Sequence, residues 1–378
     1  VAGTECGAII IVPEINIINS NSVYGGNESI GMWKRQAMKS EMDTNHGKET
    51  NHGKDTRMGN PVVDVIVPVY RPDDKFYKLL QQLKQQTWPV HRIILMNTEK
   101  KFWDEFWKTR EGLNMENLEV HHISKAEFDH GGTRNQGVSY SEADVIVLMT
   151  DDAVPEDDHL IANLVKGFQR KGPNGEMVSS VYARQLPAPD CRIVERYTRS
   201  FNYPEESRVK TKADLAAMGI KTYFCSNVCC AYDRKIFEKQ GGFIRHTIFN
   251  EDMIYAAGVI QAGYAIVYEA DAKVIHSHNL SPMEQFHRNF DLAVSQADHP
   301  EIFAGLPSEG EGIRLVKKTA GWLCKTGKPW LVPSLVLHSG MKYLGYRMGK
   351  RYQKLPEGMV KKCTMNRAYW EKKGEDAS

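Results

Sequence analysis

The chain has 378 residues, 41% hydrophobic and 25% charged, with a net charge of only +2. That is ordinary globular composition with room for one large domain or two smaller ones. Seven cysteines, odd in number and without paired CxxC units, argue against a disulfide scaffold or a zinc ribbon and fit a reducing compartment. The distribution of charge says more than its sum. Residues 314–363 hold 12 Lys or Arg against one acid, Glu357, so that stretch carries +11 and the remainder about −9. Such asymmetry points to a basic face for an anionic partner. No apolar run approaches the length of a spanning helix, and the N-terminus lacks the layout of a signal peptide, so a cytoplasmic location is expected.

Residues 1–60 are rich in Asn, Gly, Ser and charge and contain the tandem repeat NHGKETNHGKDT. They read as a flexible extension, in which the apolar island Ala8–Val12 could add a strand. From Val62 the pattern changes. VVDVIVPV is a β-branched run of strand length. Asp73–Gln86 reads as a helix with Phe76, Leu79, Leu80 and Leu83 on one face. HRIILMN is a second strand, FWDEFW a helix, LEVHHI a third strand, and Thr133-Arg134-Asn135 opens another helix before the strand DVIVLM. Strands alternating with helices at this spacing predict βαβ units and a mostly parallel sheet. Ligands of such sheets bind beyond the carboxyl ends of the strands. Pro68, Val69, Tyr70, Asn97 and Thr150-Asp151-Asp152 stand at such ends.

Four constellations could carry chemistry. Asp151 and Asp152 end the fourth strand, where carboxylates could hold Mg²⁺ or Mn²⁺ against a diphosphate. Asp157 and Asp158 read instead as the cap of a helix starting near Pro155. In FDHGGTRNQG, two glycines before a helix start could bring backbone N–H groups to an anion, with Arg134 adding charge. Glu251-Asp252 opens an amphipathic helix; the pair either favours the helix dipole or supplies a general base. His276 and His278, two apart on a strand, would face the same way and could ligate a metal, although histidines in strands are more often structural. Cys225, Cys229 and Cys230 lie in an apolar run and read as buried, inert thiols.

The order of these motifs (VDVIVPVYRP, Gly-Gly-Thr-Arg-Asn, a strand ending in TDDA, then GGF, Glu-Asp and a late His) resembles the family-2 inverting glycosyltransferases with the GT-A fold. FDHGGTRNQG with LMTDDAVP, FCSNVCCAYDRKIFEKQGGF and VIHSHN is similar to the bacterial rhamnosyltransferase branch. The likeness covers residues 62 to about 290, and KYLGYRMGKRYQKLP resembles the tails of such enzymes. The resemblance implies a Rossmann-like α/β domain over residues 61–290, with helices flanking the sheet, and a basic helical region over 291–378. It implies that Pro68, Val69, Tyr70 and Asn97 line the nucleotide pocket and that Arg134 and Asn135 lie near its phosphates or ribose. Thr150-Asp151-Asp152 takes the Asp-x-Asp position with Thr150 replacing the first acid, which makes Asp152 the main metal ligand and Asp151 secondary. His276 or His278 matches the late metal ligand, Asp252 the catalytic base, and Arg288 a diphosphate contact.

The activity so implied is transfer of a sugar, rhamnose by the closer likeness, from a nucleoside-diphosphate donor. The acceptor would be a saccharide or polyprenyl-diphosphate-linked saccharide of a bacterial surface polysaccharide, and the cofactor a divalent Mn or Mg ion. Two alternatives share the motifs: a module that binds sugar nucleotide without turnover, and a nucleotidyltransferase. Nucleic acid is not an expected partner, since no recognition motif is present. The basic tail, with Trp330, Tyr343 and Tyr346 among its cations, could lie on the anionic inner face of the cell membrane or pack as a helical cap.

Overall fold

β-branched and aliphatic runs become the central strands of the computed structural model, which describes residues 59–375 apart from 109, 111–114 and 306–308. Residues 1–58, with nearly all of the expected extension, its apolar island and the repeat, lie outside the described residues. The four expected strands are β1 (Val63–Tyr70), β2 (Arg92–Thr98), β3 (Leu118–Ile123) and β4 (Val145–Met149). Five more follow: β5 (Val154–Pro155), β6 (Val178–Leu186), β7 (Arg208–Lys210), β8 (Cys229–Asp233) and β9 (Ala265–Ile275). The sheet order is β3-β2-β1-β4-β8-β6-β9-β5, with β7 paired to β9. β1 runs parallel to β2 and β4, β2 to β3, and β6 to β9, while β8 is antiparallel to β4 and β6. The carboxyl ends of β1, β2, β4, β6 and β9 therefore share one edge, the mostly parallel arrangement expected. β4 accompanies β1 only from Val63 to Ile66, so Pro68 sits where the ladder on that side has ended and its missing N–H matters least.

Helices cover the sheet with their apolar faces. α1 (Asp74–Lys84) buries Phe76, Leu79, Leu80 and Leu83, and Asp73 precedes it as N-cap, accepting from the N–H groups of Lys75 and Phe76 at 2.8 and 3.2 Å. α2 (Lys100–Lys108) and α3 (His130–Ser139) complete the first half. The helix expected near Pro155 is displaced. Pro155 lies in β5, and α4 (Leu160–Gly167) begins five residues later without a side-chain cap. Asp157 instead accepts from the N–H of His159 at 2.9 Å, a local turn. α5 (Ile193–Asn202), α6 (Arg234–Lys239) and α7 (Glu251–Gln261) follow, and Cys225, Cys229 and Cys230 are buried as expected.

The C-terminal region is helical: α8 (Pro282–Asp298), α9 (Glu309–Lys325), α10 (Val332–Gly349), α11 (Glu357–Cys363) and α12 (Arg367–Glu375). Residue 290 falls inside α8, which a Ser281/Glu284 capping box starts and Pro282 pre-orders. α10 packs on α8 at backbone distance. A Cβ on Gly345 would stand 2.1 Å from the Phe286 carbonyl oxygen, and one on Gly349 2.2 Å from that of Phe290. Among the described residues no helix is long and apolar enough to cross a membrane.

Candidate active site

At the carboxyl edge of the sheet, the turn after β4 and the segment after β9 converge, because β5 pairs Val154 with Ile275. This pairing brings Asp152 to two imidazoles. Its carboxylate oxygens lie 3.4 Å from His276 Nε2 and 3.3 Å from His278 Nε2. The two Nε2 atoms are 3.0 Å apart. Both histidines stand just past the end of β9 rather than within it, and the loop still brings their rings together. Ligands held at ~2.1 Å by one ion lie ~3.0 Å apart when cis in an octahedron and ~3.4 Å apart in a tetrahedron. The donor set of one carboxylate and two imidazoles therefore fits a divalent ion in both spacing and chemistry.

A supporting layer backs His276. Gln185, at the end of β6, puts Oε1 3.1 Å from His276 Nδ1. That Oε1 also accepts from the Arg199 guanidinium, and Gln185 Nε2 donates to Ser226 Oγ at 3.0 Å. The Arg199 guanidinium lies 3.5 Å from the same Nδ1; when Nε2 ligates a metal, Gln185 Oε1 is the acceptor for the Nδ1 proton. Burial and the neighbouring His276 push the His278 pKa down to about 3, which keeps that ring neutral and able to ligate. Burial alone would raise the Asp152 pKa, but His276 and His278 outweigh it and hold the carboxyl well below the usual range.

Asp151 faces elsewhere. Its Oδ2 accepts the N–H of Tyr70 at 3.1 Å, tying the end of β4 to the end of β1. Burial and the adjacent Asp152 raise its pKa to about 7. One carboxylate of the pair meets the histidines while the other joins two strands.

Glu251 and Asp252 open α7 from Asn250, which adopts the left-handed conformation at φ 65°. Asn227, in the turn before β8, links both acids. Its side chain donates to Glu251 Oε1 at 2.9 Å, its N–H donates to Asp252 Oδ2 at 3.2 Å, and its Oδ1 accepts from Tyr232 at 2.7 Å. Burial would raise the Glu251 pKa, but Arg134 at 3.6 Å, His130 and the Asn227 bond lower it. Burial and the ionised Glu251 push Asp252 the other way, well above the ordinary carboxylate range. Two adjacent acids are so split into a fixed anion and a group with high proton affinity. Glu251 is thus more than a helix-dipole acid.

The Gly-Gly turn has a different job from the one expected. Gly131 and Gly132 lie inside the first turn of α3, whose N-cap is Asp129. Asp129 Oδ1 accepts the Gly132 N–H and its Oδ2 accepts the His246 N–H, so a protein carboxylate occupies the anion position at this helix end. Gly131 is needed for close approach, since a Cβ there would lie 1.9 Å from the Ile244 carbonyl oxygen. Arg134 is only 1% exposed and faces Glu251 at 3.6 Å. Asn135 spends both ends of its amide on the Phe243 backbone, at 2.8 and 2.9 Å, as a staple for the Gly241-Gly242-Phe243 turn. Both residues make positioning contacts within the protein.

Of the remaining candidates, Pro68 and Tyr70 are partly exposed at the end of β1, and Val69 is buried. Tyr70 packs edge-on against Phe102 at 5.5 Å. Asn97 is wholly buried, with Nδ2 3.0 Å from His122 Nδ1 and Oδ1 lacking a hydrogen bond. Arg288 on α8 lies over the Phe249 ring at 5.3 Å, and its charge reaches His278. Gln185, Asn227, Arg199 and Asp129 were not expected. Gln185, buried one residue before the end of the strand VSSVYARQL, was the available signal for the first.

Residues 64–241 match the model of "Glycosyl transferase family 2". An O-antigen chain rhamnosyltransferase of Salmonella typhimurium, RfbN, is 39% identical over 312 residues, covering 82% of this chain and 96% of that protein. The chain belongs to glycosyl transferase family 2. A second member, the O-antigen chain rhamnosyltransferase WbaN of Salmonella anatum, is 37% identical over 315 residues, with the same 82% and 96% coverage. Among solved structures, the mannosyltransferase PcManGT of Pyrobaculum calidifontis, in complex with GDP-Man and Mn²⁺, shares the fold at a TM-score of 0.52 and 14% identity, covering 86% of this chain and 95% of its own. The GT-A-like fold and the glycosyltransferase family expected from the motifs are therefore those of the chain.

Proposed function

We propose that the protein transfers a rhamnosyl unit from a nucleoside-diphosphate donor to a saccharide or polyprenyl-diphosphate-linked saccharide, with inversion, during assembly of an O-antigen-type surface polysaccharide. The names of the two Salmonella relatives support the sugar and the pathway class. The observation that carries the chemistry is the Asp152–His276–His278 cluster at the sheet's ligand edge. A divalent ion held there supplies charge neutralisation for the departing nucleoside diphosphate. Arg288 adds a second positive charge on the α8 side. Pro68, Val69, Tyr70 and Asn97 line the nucleotide side, where the Asn97 Oδ1 is a buried acceptor in want of a donor. Asp151 holds the two strand ends that frame that pocket.

Asp252 takes the proton of the acceptor hydroxyl as its oxygen attacks the anomeric carbon. Its high proton affinity suits that step, and the Asn227 and Met253 N–H groups aim its oxygens. Glu251, Arg134 and Asn227 hold Asp252 in place.

Peripheral attachment to the inner membrane face is the tail's part. Trp330, in the turn before α10, and Val336, Leu337 and Leu344 on α10 are 69, 57, 56 and 48% exposed, in a segment of +11. Apolar side chains among cations fit an anionic lipid surface. The deciding experiment for the activity is transfer of labelled rhamnose from a nucleoside-diphosphate rhamnose to an acceptor lipid extract, with Mn²⁺ and with EDTA. Label entering the lipid fraction only with metal is the expected result. Donor binding without transfer to any saccharide or lipid acceptor would overturn it.

A further inference from the structure

A cavity of about 360 Å³ opens beside the candidate metal cluster, between α5, the segment after β9, α8, α9 and α10. That volume is within the ~300–1,000 Å³ of small-molecule sites. His278 lies at its wall, so an occupant can place one end next to the transfer site. Aliphatic side chains, Leu280, Leu315, Val316, Leu331 and Leu335 among them, make most of the wall's surface apolar, and polar residues such as Asn279, Gln285, Thr319 and Ser334 stand between them. The apolar surface rewards a hydrocarbon, and the polar residues beside it suit the head of the same ligand. Arg192 and Lys342, also in the lining, suit an anionic linker, and Glu195 in the same wall is held by Arg199 at 3.1 Å. Leu335 and Lys342 line the cavity from α10, and Leu337 and Leu344 on the far side of the same helix are exposed, as is Trp330 in the turn before it. One helix thus has an apolar cavity on one side and an apolar surface on the other, an arrangement out of place in water.

We propose that this cavity binds the first part of a prenyl chain, with its phosphate linker, of a lipid-linked acceptor. The proposal deepens the glycosyltransferase reading and rests on it for the word acceptor. The test is calorimetric titration of the full chain with farnesyl phosphate, isopentenyl phosphate and inorganic phosphate, all in EDTA so that the metal cluster contributes nothing. Affinity for the fifteen-carbon probe is expected to exceed that for the five-carbon probe at least tenfold. Val316→Trp and Leu335→Trp, each filling the cavity from a different helix, are expected to abolish that gain. Both should bind a nucleoside diphosphate with Mn²⁺ as the parent does, which also shows that they fold. Equal affinity for the two chain lengths, or undiminished farnesyl binding in both Trp variants, would overturn the proposal. So would equally tight, Trp-sensitive binding of dihexanoyl phosphatidylglycerol, which would assign the cavity to bulk lipid. Farnesyl binding without any nucleoside-diphosphate binding would leave the cavity standing and remove the activity reading instead.

Discussion

His276 and His278 face each other with their Nε2 atoms 3.0 Å apart and their ring planes at 88°. Imidazoles so arranged share one opening beside Asp152, and a divalent ion is the group that fits it. Asp152→Ala is expected to abolish Mn²⁺ binding and metal-dependent transfer while leaving the fold intact. Gln185→Ala tests the supporting layer: without its acceptor, His276 can take the wrong tautomer, and Mn²⁺ affinity is expected to fall ~10–100-fold. Calorimetric Mn²⁺ titration reads both variants. Unchanged affinity in Gln185→Ala would show that the tautomer is set by something else.

Asp151 gives a pH prediction of a different kind. Its folded-state pKa of about 7 lies above the ordinary value of 3.8. Its contribution to stability is therefore fully present below ~4 and is lost as pH rises through 7. Asp151→Asn keeps an oxygen for the Tyr70 N–H and removes the charge. The metal-free variant is expected to melt higher than the parent at pH 8 and close to it at pH 4. A variant less stable than the parent at pH 8 would show that Asp151 is better ionised in place.

These contacts mark what the sequence could and could not show. Strands β1 to β4 and the buried face of α1 were legible because periodicity and β-branching report burial directly. Asp152 was legible from its place at a strand end. The resemblance ranked Asp152 above Asp151, but the Asp151 bond to the Tyr70 N–H was not legible, and the meeting of Asp152 with the histidines depends on β5 pairing with β9, a contact 121 positions apart at Val154 and Ile275. FDHGGTRNQG misled for a related reason. Glycines before a helix fit both an anion and a close-packed chain, and only the Ile244 carbonyl against Gly131 and the Asp129 cap tell which.

The tail makes two demands that can be separated. For its outer side, replacing Trp330, Leu337 and Leu344 together by Ser is expected to reduce binding to phosphatidylglycerol vesicles at low salt, without lowering the melting temperature. Raised salt should weaken parent binding as well, because the cations contribute. A parent that ignores such vesicles at low salt would make these residues a surface for something other than lipid.

For its inner side, Gly345→Ala would drive a methyl into the Phe286 carbonyl. Overpacking of this kind costs ~1–3 kcal/mol, and backbone on both sides leaves little room to relax. A melting temperature lower by several degrees is expected, read by calorimetry. Gly340→Ala on the same helix meets nothing within 4 Å of its Cβ and serves as the neutral control. Equal effects from both would mean that helix propensity, not the α8 contact, decides.

The base carries the sharpest prediction. Asp252 is half-buried, and its Oδ2 and Oδ1 each accept one backbone N–H; the single amide oxygen of Asp252→Asn keeps one of these bonds and loses the other, a cost of ~1–3 kcal/mol that should still leave a folded protein. The amide cannot take a proton, and loss of a general base costs ~10²–10⁴ in rate. Donor affinity near the parent's with kcat at least ~100-fold lower is the expected outcome. Glu251 then separates chemistry from architecture. Its charge is one cause of the raised Asp252 pKa, second to burial. In Glu251→Gln the acid limb of the pH–rate profile should therefore move to lower pH, because Asp252 loses its proton more readily. The same change removes the Glu251 charge from the buried Arg134 guanidinium, and breaking a buried pair costs ~3–5 kcal/mol. Activity should fall through stability as the temperature rises, while the remaining folded enzyme keeps its downshifted limb. An acid limb that stays in place in Glu251→Gln, or parent-like turnover in Asp252→Asn, would take the proton transfer away from Asp252.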